Sequence, residues 1–336
     1  MDASARRGLL ACGNFIIDYV KMIDRWPQQD TLASIRSQSM SNGGGPYNVL
    51  RDLAAMKAPF PLEAAGLLGD DANGHWILRD CAAHGIDAAR LRLTVEAATS
   101  YTDAMCVESD GRRTFFHQRG ANALFDESHV DLASSNAKIF LLAYLLLLDA
   151  MDRLDDAGRT GASRLLEQAR KLGFLTAVDT VSAPHPMFGE VARASLVHAD
   201  VFFTNEVEAS LMLAEEFNAN AASLESAANK IAALGSSGRV VVHSARGAVC
   251  RDPDGTLARQ AALSLPAECI KGSTGAGDAF TAGFLHGLHE EASAAECLLR
   301  GVLTAAASLA DPTPSLGVRP LSDCRELAAR HGFQDF

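Results

Sequence analysis

Apolar runs alternate with longer amphipathic stretches along most of the chain, the pattern of a parallel sheet whose strands are joined by helices. Residues 8–12 read as a first buried strand, and 46–56 as a helix with proline in its first turn. Residues 62–67 read as a strand and 73–83 as a helix that closes at Gly85. The ten-residue apolar run 139–148 reads as another buried strand, because a membrane helix needs about twice that length. A helix over 162–172, strands at 174–179 and 201–204, and helices over 206–216 and 224–234 follow. Strands at 240–243 and 248–251 precede helices over 276–288 and 292–309, and no internal repeat interrupts the series.

Two segments break this rhythm, 18–40 and 91–117, each offering short, half-polar extended runs. Asp110 and Gly111 in the second form a hairpin turn signal. Strands inserted between βα units do not easily join a parallel sheet. They predict a small separate sheet, a lid over the carboxyl edge of the main sheet, where ligands bind in such folds. Residues 1–336 are expected to form one domain carrying that lid.

Composition narrows the class. A chain of 336 residues with 48% hydrophobic content can bury a large core. A net charge of -11, with no lysine or arginine run, argues against nucleic acid as a partner. The first residues lack the apolar stretch and cleavage site of a secretory signal, and no membrane partner is expected. Seven scattered cysteines without a CxxC spacing read as small apolar fillers in a reducing cytoplasm.

The chemistry concentrates in KGSTGAGDAF, residues 271–280. Gly272 and Gly277 have Walker A spacing, but Asp278 and Ala279 stand where that loop requires Lys and Ser/Thr. Nor does Gly275-Ala276-Gly277 continue to the third glycine of a dinucleotide fingerprint. What remains is a glycine-rich turn into a helix, whose free N–H groups and positive dipole end make an anion site. Asp278 then has two readings. It complements the helix dipole, or it is a general base beside N–H groups of Gly275, Ala276 and Gly277 that hold a phosphoryl group in flight.

Thr274-Gly-Ala-Gly-Asp278, followed by Ala279, Phe280 and Gly283, resembles the C-terminal signature of the PfkB/ribokinase family of sugar and nucleoside kinases. Other landmarks of that family follow in order: Gly13, Asn14 and Asp18; Gly43-Gly44-Gly45 with Asn48; Gly66 to Gly74; Gly120 to Asn122; Asn205 with Glu208; and Ser244 to Gly247. The resemblance spans roughly residues 8–320. It implies a ribokinase-like three-layer α/β/α sandwich, a central mostly parallel sheet and a small β-sheet lid. It further implies transfer of the γ-phosphate of ATP to a hydroxyl of a sugar or sugar-like molecule. A nucleoside acceptor, or a homologue that binds sugar without turnover, are the alternatives.

On this resemblance Asp18, Gly43, Gly44, Asn48 and Asn122 would hold the acceptor, and Asn205, Ser244, Gly247 and Thr274 the nucleotide. Glu208 would organise Mg²⁺ through water, although Asn205 and Glu208 also have the spacing of a capping box. The family has an aspartate where this chain has Gly272, which leaves activation by a monovalent cation doubtful. His286 and His289 have metal-ligand spacing without further ligands and read as surface residues. The pattern does not say whether Arg112, Arg113 or Arg119 reaches an anion. Apolar residues on both faces of the lid strands, Val20, Met22, Met105 and Val107, suggest a homodimer through the lid.

Overall fold

A computed structural model describes residues 6–109 and 112–336; the expected turn at Asp110 and Gly111 and the first five residues lie outside them. In chain order the strands begin with β1 (Leu9–Gly13), β2 (Ile16–Ile23), β3 (Ile35–Gly43), β4 (Leu62–Gly69) and β5 (Ile86–Thr94). They continue with β6 (Tyr101–Val107), β7 (Arg113–Gln118), β8 (Ile139–Ala143), β9 (Leu175–Asp179) and β10 (Val201–Asn205). The last are β11 (Arg239–Ser244), β12 (Gly247–Arg251) and β13 (Leu257–Ala261). Nine of them form one sheet in the order β13-β12-β11-β10-β9-β8-β1-β4-β5, parallel except at the two β12 pairings.

Side-chain alternation along β1 explains the three layers. Leu9 and Ala11 point into one apolar cluster, Leu10 and Cys12 into another on the opposite face. The first cluster is covered by α1 (Gly45–Ala55) and α2 (Ala72–Ala83), and by three later helices, α7 (Ala276–His289), α8 (Ala294–Ser308) and α9 (Leu321–His331). The second is covered by α3 (Gly161–Lys171), α4 (Phe188–Leu196), α5 (Glu206–Leu213) and α6 (Ala221–Ala233). Because neighbouring strands run the same way, the loops that follow them gather at one edge of the sheet.

The remaining four strands make a separate sheet in the order β3-β2-β6-β7, with β2 and β6 parallel. Its register sets a polar row across the strands, Ser41–Asp18–Thr102–His117. Val20, Met22, Ala104 and Cys106 form a small apolar cluster of their own.

Two sequence expectations need correction. The strand expected over 139–148 ends at Ala143. There the N–H of Tyr144 turns to Oδ1 of Asn14 (2.9 Å), and Leu145 donates to the carbonyl of Asp179 (3.1 Å). Leu145, Leu146 and Leu148 stay buried as a turn, so apolar content alone misled the strand assignment. The inserted segment expected from residue 91 overlaps β5, which pairs with β4 at the edge of the large sheet. An edge strand needs to bury only part of its surface, here Ile86 and Leu91, so its half-polar pattern imitated an inserted strand.

Candidate active site

Asp278 occupies the third position of α7, and no side chain caps that helix. Gly275 supplies the left-handed turn before it, φ 77°, and a Cβ there would lie 2.7 Å from Cβ of Pro314. Asp278 is buried and held by both oxygens: Asn48 Nδ2 donates to Oδ2 (2.8 Å) and the Tyr144 hydroxyl to Oδ1. Burial pushes its carboxyl up to about 6, against the lowering effect of the Tyr144 and Asn48 hydrogen bonds; Glu208 adds a smaller upward push. A carboxylate with that balance is ionised at neutral pH yet basic enough to take a proton.

On one side of Asp278 lie the residues expected at the acceptor. Asn48 projects from α1, and its Oδ1 accepts from Asn42 Nδ2 (2.7 Å), which orients the amide toward Asp278. Gly44 precedes the helix at φ 87°. Gly43 has no side chain because Asp18 lies against it: a Cβ at Gly43 would sit 2.5 Å from the carboxylate carbon of Asp18. Asp18 is buried, and that burial, reinforced by the charge of Asp278, raises its carboxyl to about 7 despite a hydrogen bond from Thr102. Asn122 is fully buried with neither side-chain oxygen nor nitrogen paired, and Nδ2 of buried Asn14 is also unpaired. Nε2 of His117 is a third orphan, while its Nδ1 meets the Thr102 hydroxyl at 3.0 Å. Orphaned buried donors and acceptors are costly, and a polyhydroxylated ligand would satisfy them.

On the other side is a cavity of about 490 Å³ whose lining includes Asn205, Ser244, Gly247, Ala276 and Gly277. Its wall is mostly apolar, with Phe280, Leu263 and Val302. His243 belongs to it too, packed against Phe280 with ring centroids 5.0 Å apart, and burial lowers its pKa to about 4 so that it stays neutral. Thr274 is not part of this lining; it lines a neighbouring groove.

A model of the pfkB family carbohydrate kinases matches residues 7–318. The chain belongs to that family. Its members are phosphotransferases that use a hydroxyl as acceptor, and so is this protein. An ATP-dependent ribose-1-phosphate kinase of Halopiger xanaduensis is 28% identical over 278 residues, 82% of this chain and 83% of that protein. The ribokinase of Arabidopsis thaliana, solved with ribose and ATP, superposes with a TM-score of 0.78 at 22% identity, covering 96% of this chain and 98% of that one. The nucleoside kinase of Methanocaldococcus jannaschii does so with 0.72 at 19%, covering 96% and 98%. These structures establish the shared ribokinase fold.

In this pfkB family kinase Asn205 and Glu208 form the capping box of α5. Glu208 is buried with both oxygens occupied: Oε1 by Ser182 (2.9 Å) and Asn205 Nδ2 (2.8 Å), Oε2 by Thr180 (2.7 Å) and the Asn205 N–H (2.9 Å). Burial raises its pKa, and its charge helps raise those of Asp179 and Asp278. The charge of Asp278 raises Asp179 as well, and among the described residues no three His, Cys, Asp or Glu side chains are grouped to hold a metal ion directly. With both oxygens saturated, Glu208 has none free for direct ligation.

Several residues of this neighbourhood escaped the sequence reading. Tyr144 was hidden inside an apolar run. Asp179, which accepts from Thr281 (3.0 Å), and Asp52, beside Ser315 and Arg51, are pushed well above the carboxylate range by burial. Asp52 lies one helical turn after Asn48 on α1, a spacing that was available as a signal. Arg119 is engaged by Asp149 (2.9 Å) and the carbonyl of Leu146 (3.1 Å). His286 and His289 are buried, contrary to the surface expectation. His289 stacks on Phe60 and accepts from the Gly8 N–H (2.9 Å), and His286 meets Arg300 (2.8 Å). They are packing residues of a helix covered on most of its circumference.

Proposed function

We propose that this carbohydrate kinase uses ATP to phosphorylate a hydroxyl of a furanose sugar, with Asp278 as general base. The observation that carries the reading is the position of Asp278. It is a buried, raised carboxylate at an uncapped helix N-terminus, between the apolar cavity and the orphaned polar groups around Asp18. The acceptor hydroxyl gives its proton to Asp278 while its oxygen bonds to the γ-phosphorus. The bond from that phosphorus to the bridging oxygen breaks, and ADP leaves with the electron pair. The N–H groups of Gly275 and Gly277 are assigned to the charge that builds up on the transferred group; that of Ala276, expected to be free, donates to the carbonyl of Ser273 (3.3 Å).

Asp18, Gly43, Gly44, Asn48 and Asn122 are assigned to the acceptor, joined by Asn14, Thr102 and His117. Asn205, Ser244 and Gly247 are assigned to the nucleotide, with neutral His243 and Phe280 as an apolar wall for its base; Thr274 borders the phosphates from the adjoining groove. Mg²⁺, held through water near Glu208 and Asp179, would neutralise phosphate charge. The small sheet acts as a lid that excludes water and so protects ATP from hydrolysis. A furanose is favoured by the relative that acts on ribose 1-phosphate and by the fold neighbours that bind ribose or a nucleoside.

A homodimer through the small sheet belongs to this reading, with a changed set of contacts. Val20 and Val107 are buried within the chain, whereas Ile35, Met40, Phe115 and Phe116 are exposed. Sedimentation at micromolar concentration is expected to give twice the chain mass. All seven cysteines are free, which supports a reducing, cytoplasmic location. No helix among the described residues is long and apolar enough to cross a membrane.

The reading is tested by coupled ADP release over a panel of D-ribose, D-fructose, ribose 1-phosphate, sugar acids and nucleosides. Wild-type protein is expected to turn over at least one furanose, and Asp278→Asn to lose about 10²–10⁴-fold in kcat. An Asp278→Asn protein that works at the wild-type rate would overturn it.

A further inference from the structure

Residues 332–336, which follow α9, run along the wall of the nucleotide cavity. The N–H of Ser264 donates to the carbonyl of Gly332 (3.1 Å) and that of Gln334 to the carbonyl of Ala262 (2.8 Å). Between them Leu263 and Phe333 form an antiparallel bridge just past the end of β13. Nη2 of Arg246 donates to the carbonyl of Asp335 (2.8 Å). Phe336 fills the space beside Gly247, where a Cβ would lie 2.8 Å from its ring and 2.6 Å from the carbonyl oxygen of Gln260. The segment is a strap, fastened on both sides of Gln334.

Gln334 itself lines the cavity. Its Nε2 donates to the carbonyl of Leu263 (3.0 Å), which settles the orientation of the amide, because Oε1 in that place would face another acceptor. Oε1 accepts no hydrogen bond among the described residues. The pinned amide therefore offers an acceptor and its remaining N–H side by side. Leu263 belongs to the apolar part of the lining, with Phe280 and Val302, which suits a nucleobase; Ala276 and Gly277 at the start of α7 suit phosphate. Adenine carries an amino donor next to a ring-nitrogen acceptor, the complement of that amide. Hypoxanthine carries a keto oxygen next to a ring N–H, the reverse order, and meets the amide acceptor to acceptor and donor to donor. Neutral His243 in the same lining has one donor and one acceptor and a choice of tautomer, so it suits either base.

We propose that residues 332–336 are a strap that completes the base end of the nucleotide cavity, and that Gln334 on it selects a 6-aminopurine nucleotide over a 6-oxopurine one. The inference rests on the reading of this cavity as the nucleotide site and names a specificity residue for it.

Titration calorimetry with ADP and with inosine diphosphate tests it on wild type, Gln334→Leu, Phe336→Ala and the double variant. Neither acceptor nor turnover is involved, so failure here is distinguishable from failure of Asp278 as the base. Wild-type protein is expected to bind ADP about tenfold more tightly than inosine diphosphate. Gln334→Leu weakens ADP and brings the two Kd values within about twofold of each other. Phe336→Ala frees the strap and narrows the ratio too, and the double variant narrows it no further than Gln334→Leu alone. Equal binding of the two nucleotides by wild type overturns the proposal, as does a wild-type ratio in Gln334→Leu. A wild-type ratio in Phe336→Ala overturns the strap. A wild-type protein that binds neither nucleotide overturns the cavity assignment and this inference with it. Melting without nucleotide verifies folding, and if Phe336→Ala does not fold, Gln334→Leu decides.

Discussion

The hydroxyl of Tyr144 donates to Oδ1 of Asp278, from a residue just beyond the last ladder position of β8 to the third residue of α7. That hydrogen bond favours the ionised carboxylate, so removing it makes Asp278 harder to ionise. Tyr144→Phe is expected to move the acid limb of the kcat/KM–pH profile upward by about 0.5–1 unit, the effect of losing roughly 1 kcal/mol of charge-assisted hydrogen bonding. A limb that stays in place would mean that Tyr144 only fills space.

In the wild type the acid limb is expected near 6 to 7, because Asp278 and Asp18 titrate there and the charge of Asp278 raises Asp18. Activity rises with pH through that window, since the base must be ionised. Asp18→Asn removes the group that titrates higher, at about 7, and leaves Asp278, at about 6, to set the limb. Its limb therefore shifts to lower pH, with a raised KM for the acceptor, and a pH–rate series on both proteins checks this.

Gly43→Ala tests the acceptor cradle without touching the base. The added methyl would press on the carboxylate of Asp18, 2.5 Å from Cγ. The expected result is a KM for the sugar raised about tenfold or more, the effect of roughly 1.4 kcal/mol lost binding, with KM for ATP nearly unchanged.

The base also has a stability signature. Its pKa in the folded protein is about 6, above the roughly 3.9 of a free aspartate, so ionising Asp278 opposes folding. The stability associated with its neutral form is complete below the unfolded pKa and is lost as pH rises through 6. Asp278→Asn is therefore expected to melt higher than wild type at pH 8, by about 1–3 kcal/mol, with the gain shrinking toward pH 4. Thermal melts across that range measure it.

Glu208→Gln should act in two places. An amide accepts at only one end, so some of the donors from Thr180, Ser182 and Asn205 lose their partner, at a cost of about 1–3 kcal/mol. Loss of the Glu208 charge also moves the acid limb downward, because that charge raises Asp278. Melting temperature and the pH profile report the two effects separately.

Local order carried much of the information along the chain. Apolar periodicity marked most of the large-sheet strands and their helices, and the glycine-rich turn marked the start of α7, because these features depend on neighbours within a few residues. The edge strand β5 and the end of β8 were misread because a half-polar edge and a buried turn have the same composition as the elements they imitate. α4, α9 and β13 were missed altogether.

The site divides in the same way. Asp278, Asp18, Asn48 and Glu208 stood out by motif, since each sits beside a glycine turn or a helix start. What the tertiary structure alone decided is which groups face one another: Tyr144 on Asp278 across 134 residues, Asn48 on its other oxygen across 230, and Arg113 in the space left by Gly272. Burial is a property of the packed chain, and burial sets the proton affinity of Asp278. The sequence determined that an acid stands at the head of α7; only the fold decided that it is desolvated and held by two donors, with the chemistry that follows.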